Sequence, residues 1–139
     1  MKLRIRGNSL RFRLTQGEVE RLLAEGRVSE SVHFSPSLED RLTYSLATST
    51  CAANVFASFR SGEVNITIPA AEAYQWANTG QVGIERTLFV GTETDLRILI
   101  EKDFRCLQPR MEEDESDNFP NPEVSACKLG QEQEAESRT

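Results

Sequence analysis

Apolar and polar residues alternate strictly through residues 1–14, on either side of a Gly7-Asn8 break. That pattern predicts two strands joined by a two-residue turn. In this register Ile5 faces Leu10 and Leu3 faces Phe12 on one side, while Arg4 faces Arg11 and Lys2 faces Arg13 on the other. Like charges directly opposite one another destabilise a strand pair. The ribbon therefore needs an anionic neighbour or an open, well-solvated face.

Helix signals follow. Thr15-Gln16-Gly17-Glu18 has the form of a capping box, with Thr15 as N-cap and Glu18 at the third helical position. Val19, Leu22 and Leu23 supply a short apolar stripe, and Gly26 a stop. Residues 28–34 read as a strand with Val28, Val32 and Phe34 facing inward, and residues 42–46 alternate as another strand.

The same plan recurs at an offset of 54 residues. Residues 55–59 and 64–68 flank Ser61-Gly62 as the first two strands flank Gly7-Asn8. Leu10, Phe12 and Leu14 fall on Val64, Ile66 and Ile68. Thr15 falls on Pro69, a residue favoured in the first turn of a helix. Leu22 and Leu23 fall on Trp76 and Ala77, Gly26 on Gly80, Val28 on Val82, and Leu42, Tyr44 and Leu46 on Leu96, Ile98 and Ile100. The predicted fold is α+β, an internally duplicated strand-strand-helix-strand-strand unit with a mostly antiparallel or curled, barrel-like sheet and two short helices. Residues 1–110 form one domain of two pseudo-repeats, about 1–51 and 55–105. A pseudo-twofold arrangement is expected to give every strand neighbours on both sides. Trp76 is assigned to the core.

Charge changes the picture. Residues 1–110 hold 14 Lys/Arg against 13 Asp/Glu, and residues 111–139 hold 2 against 9. A nearly neutral body thus ends in an acidic segment. Residues 112–117 are too charge-dense to pack, Phe119-Pro120-Asn121-Pro122 follows, and residues 123–139 are expected to be disordered. No apolar run reaches the ~18 residues of a membrane span, and nothing resembles a signal peptide, so the expected location is cytoplasmic. Cys51, Cys106 and Cys127 are too few and too scattered for a disulfide framework, and Cys51, beside alanines, is expected to pack as a small hydrophobe.

The residues quoted above, with Arg4 to Thr15 foremost, resemble a family of short bacterial proteins carried as a domain of unknown function. The resemblance extends through His33-Phe34, Val82-Gly83-Ile84, residues 96–104, Cys106-Leu107 and residues 113–122. It implies that the Arg-Gly-Asn-Ser hairpin and the acidic Phe-Pro-Asn-Pro segment belong to one unit, and it implies no mechanism.

The duplication singles out a site. At the positions of Lys2, Arg4, Arg11 and Arg13 the second hairpin carries Phe56, Ser58, Asn65 and Thr67, so the scaffold does not require four cations there. Paired guanidinium groups suit a phosphate or carboxylate. The anion is expected to be the chain's own acidic segment, with Glu113, Asp114, Glu115 and Asp117 laid over the ribbon and Phe119 anchoring them, or else a protein or small anionic partner; a merely solvated face is the plain alternative. Two such repeats also look like the duplicated curved sheets of some single-strand-binding proteins. No exposed aromatic accompanies these cations, however, so nucleic acid is disfavoured.

A metal or thiol reading centres on His33, Cys106 and a carboxylate such as Asp103, none of them at the short spacing zinc sites show. There is no phosphate-gripping glycine loop, nucleophile elbow or His-Glu-x-x-His. The sequence thus favours a binding module over an enzyme, implies no cofactor, and leaves a dimer open.

Overall fold

The computed structural model describes residues 1–104. The elements run β1 (Lys2–Arg6), β2 (Ser9–Leu14), α1 (Gln16–Glu25), β3 (Arg27–His33), β4 (Arg41–Ser49), β5 (Phe56–Arg60), β6 (Glu63–Pro69), α2 (Ala70–Asn78), β7 (Gly83–Leu88) and β8 (Leu96–Lys102), with a single 3-10 turn at Leu38–Asp40. This is an α+β fold of two similar strand-strand-helix-strand-strand units.

The strands divide into two four-stranded sheets. Sheet A has the order β1-β2-β8-β7 and sheet B the order β3-β4-β6-β5. Every hairpin is antiparallel, and in each sheet the two hairpins meet through a parallel central pair, β2 with β8 and β4 with β6. Each repeat therefore gives one hairpin to each sheet. The backbone repeats the symmetry at the junctions: Arg97 N donates to Asn8 O, and Thr43 N, 54 residues earlier, donates to Gly62 O. The expected neighbours on both sides exist only for the central strands. Among the described residues β1, β7, β3 and β5 are edges with one ladder each, because two open sheets have four ends.

Between the sheets' inner faces and the helices lies one core. Phe12, Leu14, Leu22, Leu46, Ile66, Ile68, Trp76, Ile98 and Ile100 are its largest fully buried apolar side chains. The register Lys2↔Arg13, Leu3↔Phe12, Arg4↔Arg11, Ile5↔Leu10 is the predicted one, and Leu3, Leu10, Phe12 and Leu14 take the inward positions, but Ile5, beside the turn, is 60% exposed and lies outside the core. In α1 the capping box forms in both directions, Glu18 N to Thr15 Oγ1 and Thr15 N to Glu18 Oε1. Gly26 ends the helix in the left-handed region at φ 81°, its N–H on Leu22 O.

The second helix ends differently. Gly80 does not take a left-handed conformation. Asn78 Nδ2 donates to Tyr74 O and Thr79 Oγ1 to Gln75 O, so side chains satisfy the last carbonyls and Thr79 stays extended. Without the tight turn, the chain runs two residues further before its strand engages. Val28 faces Leu46, but the residue facing Ile100 is Ile84 and not Val82. Val82 is accordingly 53% exposed while Ile84 is 2% exposed. The same slip shows in the backbone, where Thr48 N donates to Gly26 O but Lys102 N donates to Val82 O.

Two further expectations are corrected. Val32 and Phe34 are exposed, because β3 continues past the edge of the core after Val28. Cys51 is exposed in the β4–β5 connection and does not pack as a hydrophobe.

The two hairpin turns make different demands. Gly7 has φ 55°, and a Cβ there would meet nothing within 4 Å. Ser61 and Gly62 have φ 53° and 77°, and a Cβ on Gly62 would lie 2.7 Å from Arg41 O. Gly62→Ala must therefore break or bend the Gly62–Thr43 junction, whereas Gly7→Ala bears only the left-handed backbone. We expect Gly7→Ala to cost about 1 kcal/mol and Gly62→Ala about 2–3 kcal/mol. Chemical denaturation of the two variants checks the order.

Candidate functional site

The register fixes the outer face of sheet A as three rows. Lys2, Arg13, Glu101 and Gly83 form the first, Arg4, Arg11, Leu99 and Glu85 the second, and Arg6, Ser9, Arg97 and Thr87 the third. The four cations predicted to share a face do so, and β8 brings Arg97 beside them.

An anion sits among them. Glu101 on β8 accepts from Arg11 Nε at 2.7 Å and from Arg13 Nε at 2.8 Å, with Arg11 Nη2 also 2.7 Å from the same oxygen. All three side chains are largely buried, so this charge-assisted pairing is far less screened than a surface ion pair. Lys2 Nζ lies 3.2 Å from Asp103 Oδ2, but its ammonium end is well exposed and the contact is weak. The repulsion between Arg11 and Arg13 is therefore relieved in part by the second repeat, through the parallel β2–β8 pair. Arg13 keeps one donor in reserve: its Nη2 is buried without a hydrogen-bond acceptor.

Six cations, Lys2, Arg4, Arg6, Arg11, Arg13 and Arg97, then stand on or beside this face against Glu85, Glu101 and Asp103. The corresponding face of sheet B has a centre of hydroxyls and amides, with Arg27, Arg41, Arg60 and Glu63 around it. Ser45 Oγ lies 2.7 Å from both Glu63 Oε2 and Asn65 Oδ1, Asn65 Nδ2 donates to Thr67 Oγ1, and Ser31 and Thr43 share a bond. Of its charges, Arg27 pairs with Glu63, which lies opposite Arg60 across the β5–β6 hairpin. The hydrogen bond from Ser45, with that from Arg27, holds the Glu63 carboxyl below the usual range. Arg86 pairs likewise with Glu72, joining β7 to α2.

Sequence reasoning missed a second ionic cluster, beside β1. The Met1 amine donates to Glu18 and Glu30, and Tyr44 Oη donates to Met1 O at 3.3 Å. Burial alone would lower the amine's pKa, but the hydrogen bonds to Glu18 and Glu30 outweigh it and raise the value. Burial would raise that of Glu18, but the bonds from the Met1 amine and Thr15 bring it down. Glu18 thus caps α1 and tethers the start of β1 with one carboxylate.

The other sequence candidates are dispersed. His33 ends β3 in sheet B, exposed opposite Arg41, while Asp103 follows β8 in sheet A and faces Lys2. Among the described residues no group of three His, Cys, Asp or Glu side chains is placed to hold a metal ion. Cys106 and the segment of Glu113, Asp114, Glu115, Asp117 and Phe119 lie outside the described residues. Among the described residues no aromatic side chain stands in the three rows of sheet A's outer face, and no helix is long and apolar enough to cross a membrane.

A model of one protein family, described as the family of unknown function DUF7009, matches residues 1–123. The chain belongs to that family. The match takes in the whole duplicated DUF7009 fold, both ionic clusters, and the acidic residues 112–117. No curated protein and no solved structure matches the chain.

Proposed function

We propose that the domain works by binding, and that the outer face of sheet A holds an acidic polypeptide segment. The first candidate is the chain's own residues 112–117. The observation that carries this reading is the cluster of Lys2, Arg4, Arg11 and Arg13 on one hairpin, where the repeat-related positions of the other sheet hold Phe56, Ser58, Asn65 and Thr67. Arg13 Nη2, buried without a hydrogen-bond acceptor, supports a further carboxylate at this face. Lys2 at one end of the face contacts Asp103, one residue before the last described position. Seven residues separate Phe104 from Glu112, eight steps and up to ~28 Å of extended chain, against a face roughly 20 Å long. The segment has ample reach. A stacking nucleic-acid ligand is not favoured, because among the described residues the rows of cations hold no aromatic platform.

The test uses the full chain. In one variant Glu112, Glu113, Glu115, Asp114 and Asp117 are neutralised to Gln and Asn. In another Arg4→Ser and Arg11→Asn introduce what the second hairpin carries at those positions. Each variant should melt lower than the parent, the combined variant should lose less than the sum, and salt should weaken the parent more than the neutralised chain. Additive losses with equal salt dependence would refute docking of the chain's own segment. Salt-sensitive binding of an added acidic peptide would then move the reading to an external partner.

A further inference from the structure

The four sheet edges are not equally protected. β1 carries Lys2, Arg4 and Arg6, β3 carries Arg27, Glu30 and His33, and β7 carries Glu85 and Arg86. Charges along an edge are how soluble sheets discourage a further strand from adding. β5, Phe56-Ala57-Ser58-Phe59-Arg60, has one charge at its turn end, and its two phenylalanines are 50% and 70% exposed.

The turn determines which backbone groups β5 offers. With two central residues at positive φ, the flanking Arg60 and Glu63 close the hairpin as a hydrogen-bonded pair. Antiparallel pairs alternate, so Ser58 and Phe56 also bond to β6, through Asn65 and Thr67. The N–H and C=O groups of Ala57 and Phe59 therefore point away from the sheet.

We propose that this edge pairs with β5 of a second copy, antiparallel and centred on Ser58, to join two B sheets into one of eight strands. In that register Ala57 of each copy exchanges both backbone bonds with Phe59 of the other, giving four hydrogen bonds. On the outer face Phe56 lies against Arg60 of the second copy, a favourable cation–aromatic contact. On the inner face the small Ala57 meets the large Phe59. No like charges are opposed. The same operation about the middle of the other edges fails: on β1 it sets Arg4 against Arg4 and Lys2 against Arg6, on β3 Glu30 against Glu30, and on β7 Glu85 or Arg86 against itself. Charge therefore selects β5, and the self-complementary register selects a second copy as the occupant. Five residues a side make a small interface, so the dimer exchanges with monomer as concentration falls. This inference is independent of the role of sheet A.

Light scattering across a concentration series tests it on the full chain. The mass should rise from one 15.6 kDa chain toward two. Phe59→Lys, at an exposed position, should keep the fold by circular dichroism and remain monomeric. With Cys51, Cys106 and Cys127 changed to serine, Ser58→Cys should give a cross-linked dimer under mild oxidation and Arg60→Cys should not, because only position 58 meets its own copy. A monomer at every concentration, or a dimer that survives Phe59→Lys, would overturn the proposal. So would equal cross-linking at positions 58 and 60.

Discussion

Glu101→Gln should destabilise the domain by about 2 kcal/mol, roughly 10 °C in melting temperature. The carboxylate accepts from Arg11 and Arg13 at 2.7 and 2.8 Å, and none of the three side chains is more than 19% exposed. An amide of the same shape keeps one acceptor but removes the charge. Two neighbouring guanidinium groups are then left facing each other with less compensation than the fold provides for. The internal repeat supplies the control. Arg11→Asn with Arg13→Thr introduces the residues of the second hairpin, and in that background Glu101→Gln should cost much less, since there is no longer a cation stack to neutralise. Equal costs in both backgrounds would show that Glu101 is not the counter-ion of the ribbon.

Trp76→Ala should cost more, about 3–5 kcal/mol. The indole is fully buried in the core cluster, and its Nε1 donates to Val82 O at 3.0 Å. Lys102 N donates to the same carbonyl at 3.1 Å, so losing the indole does not orphan it. The loss therefore comes from the cavity rather than from an unmet backbone group. Trp76→Phe, which refills much of that volume without the N–H, should recover most of the stability. A Phe variant as unstable as the Ala variant would assign the role to the hydrogen bond instead. Because Trp76 is the chain's single tryptophan, unfolding should be followed by circular dichroism.

Local features were the legible ones. Alternation about Gly7-Asn8 determined the first hairpin's register, and the Thr15–Glu18 box determined where α1 starts, because each depends on residues a few positions apart. The offset of 54 conveyed the duplicated units, but not that each unit would split its hairpins between two sheets. Glu101 escaped for that reason: it lies 88 residues from Arg13 and reaches it only through a parallel strand pair. The shift from Val82 to Ile84 escaped for a subtler one. Gly26 and Gly80 look like the same stop signal, yet Thr79 and Asn78 satisfy the helix end with their side chains and leave Gly80 nothing to do. For the candidate site, the four cations and their common face followed from alternation alone. The anion beside them, and the Met1–Glu18–Glu30 cluster, required the tertiary fold.

The strand order also sets a sequence of events in time. Sheet B is assembled from β3, β4, β5 and β6, which follow one another along the chain, so it can close once residues 27–69 are available. Sheet A needs β2 beside β8, and its central ladder joins Ser9 to Arg97 and Leu14 to Lys102. Closing so long a loop carries an entropic cost that local pairing does not. During synthesis the cationic hairpin thus precedes the rest of the domain and must wait for Glu101, late in it, before Arg11 and Arg13 are paired. The ribbon begins life as a polycation, and completion of the fold gives Arg11 and Arg13 their counter-ion.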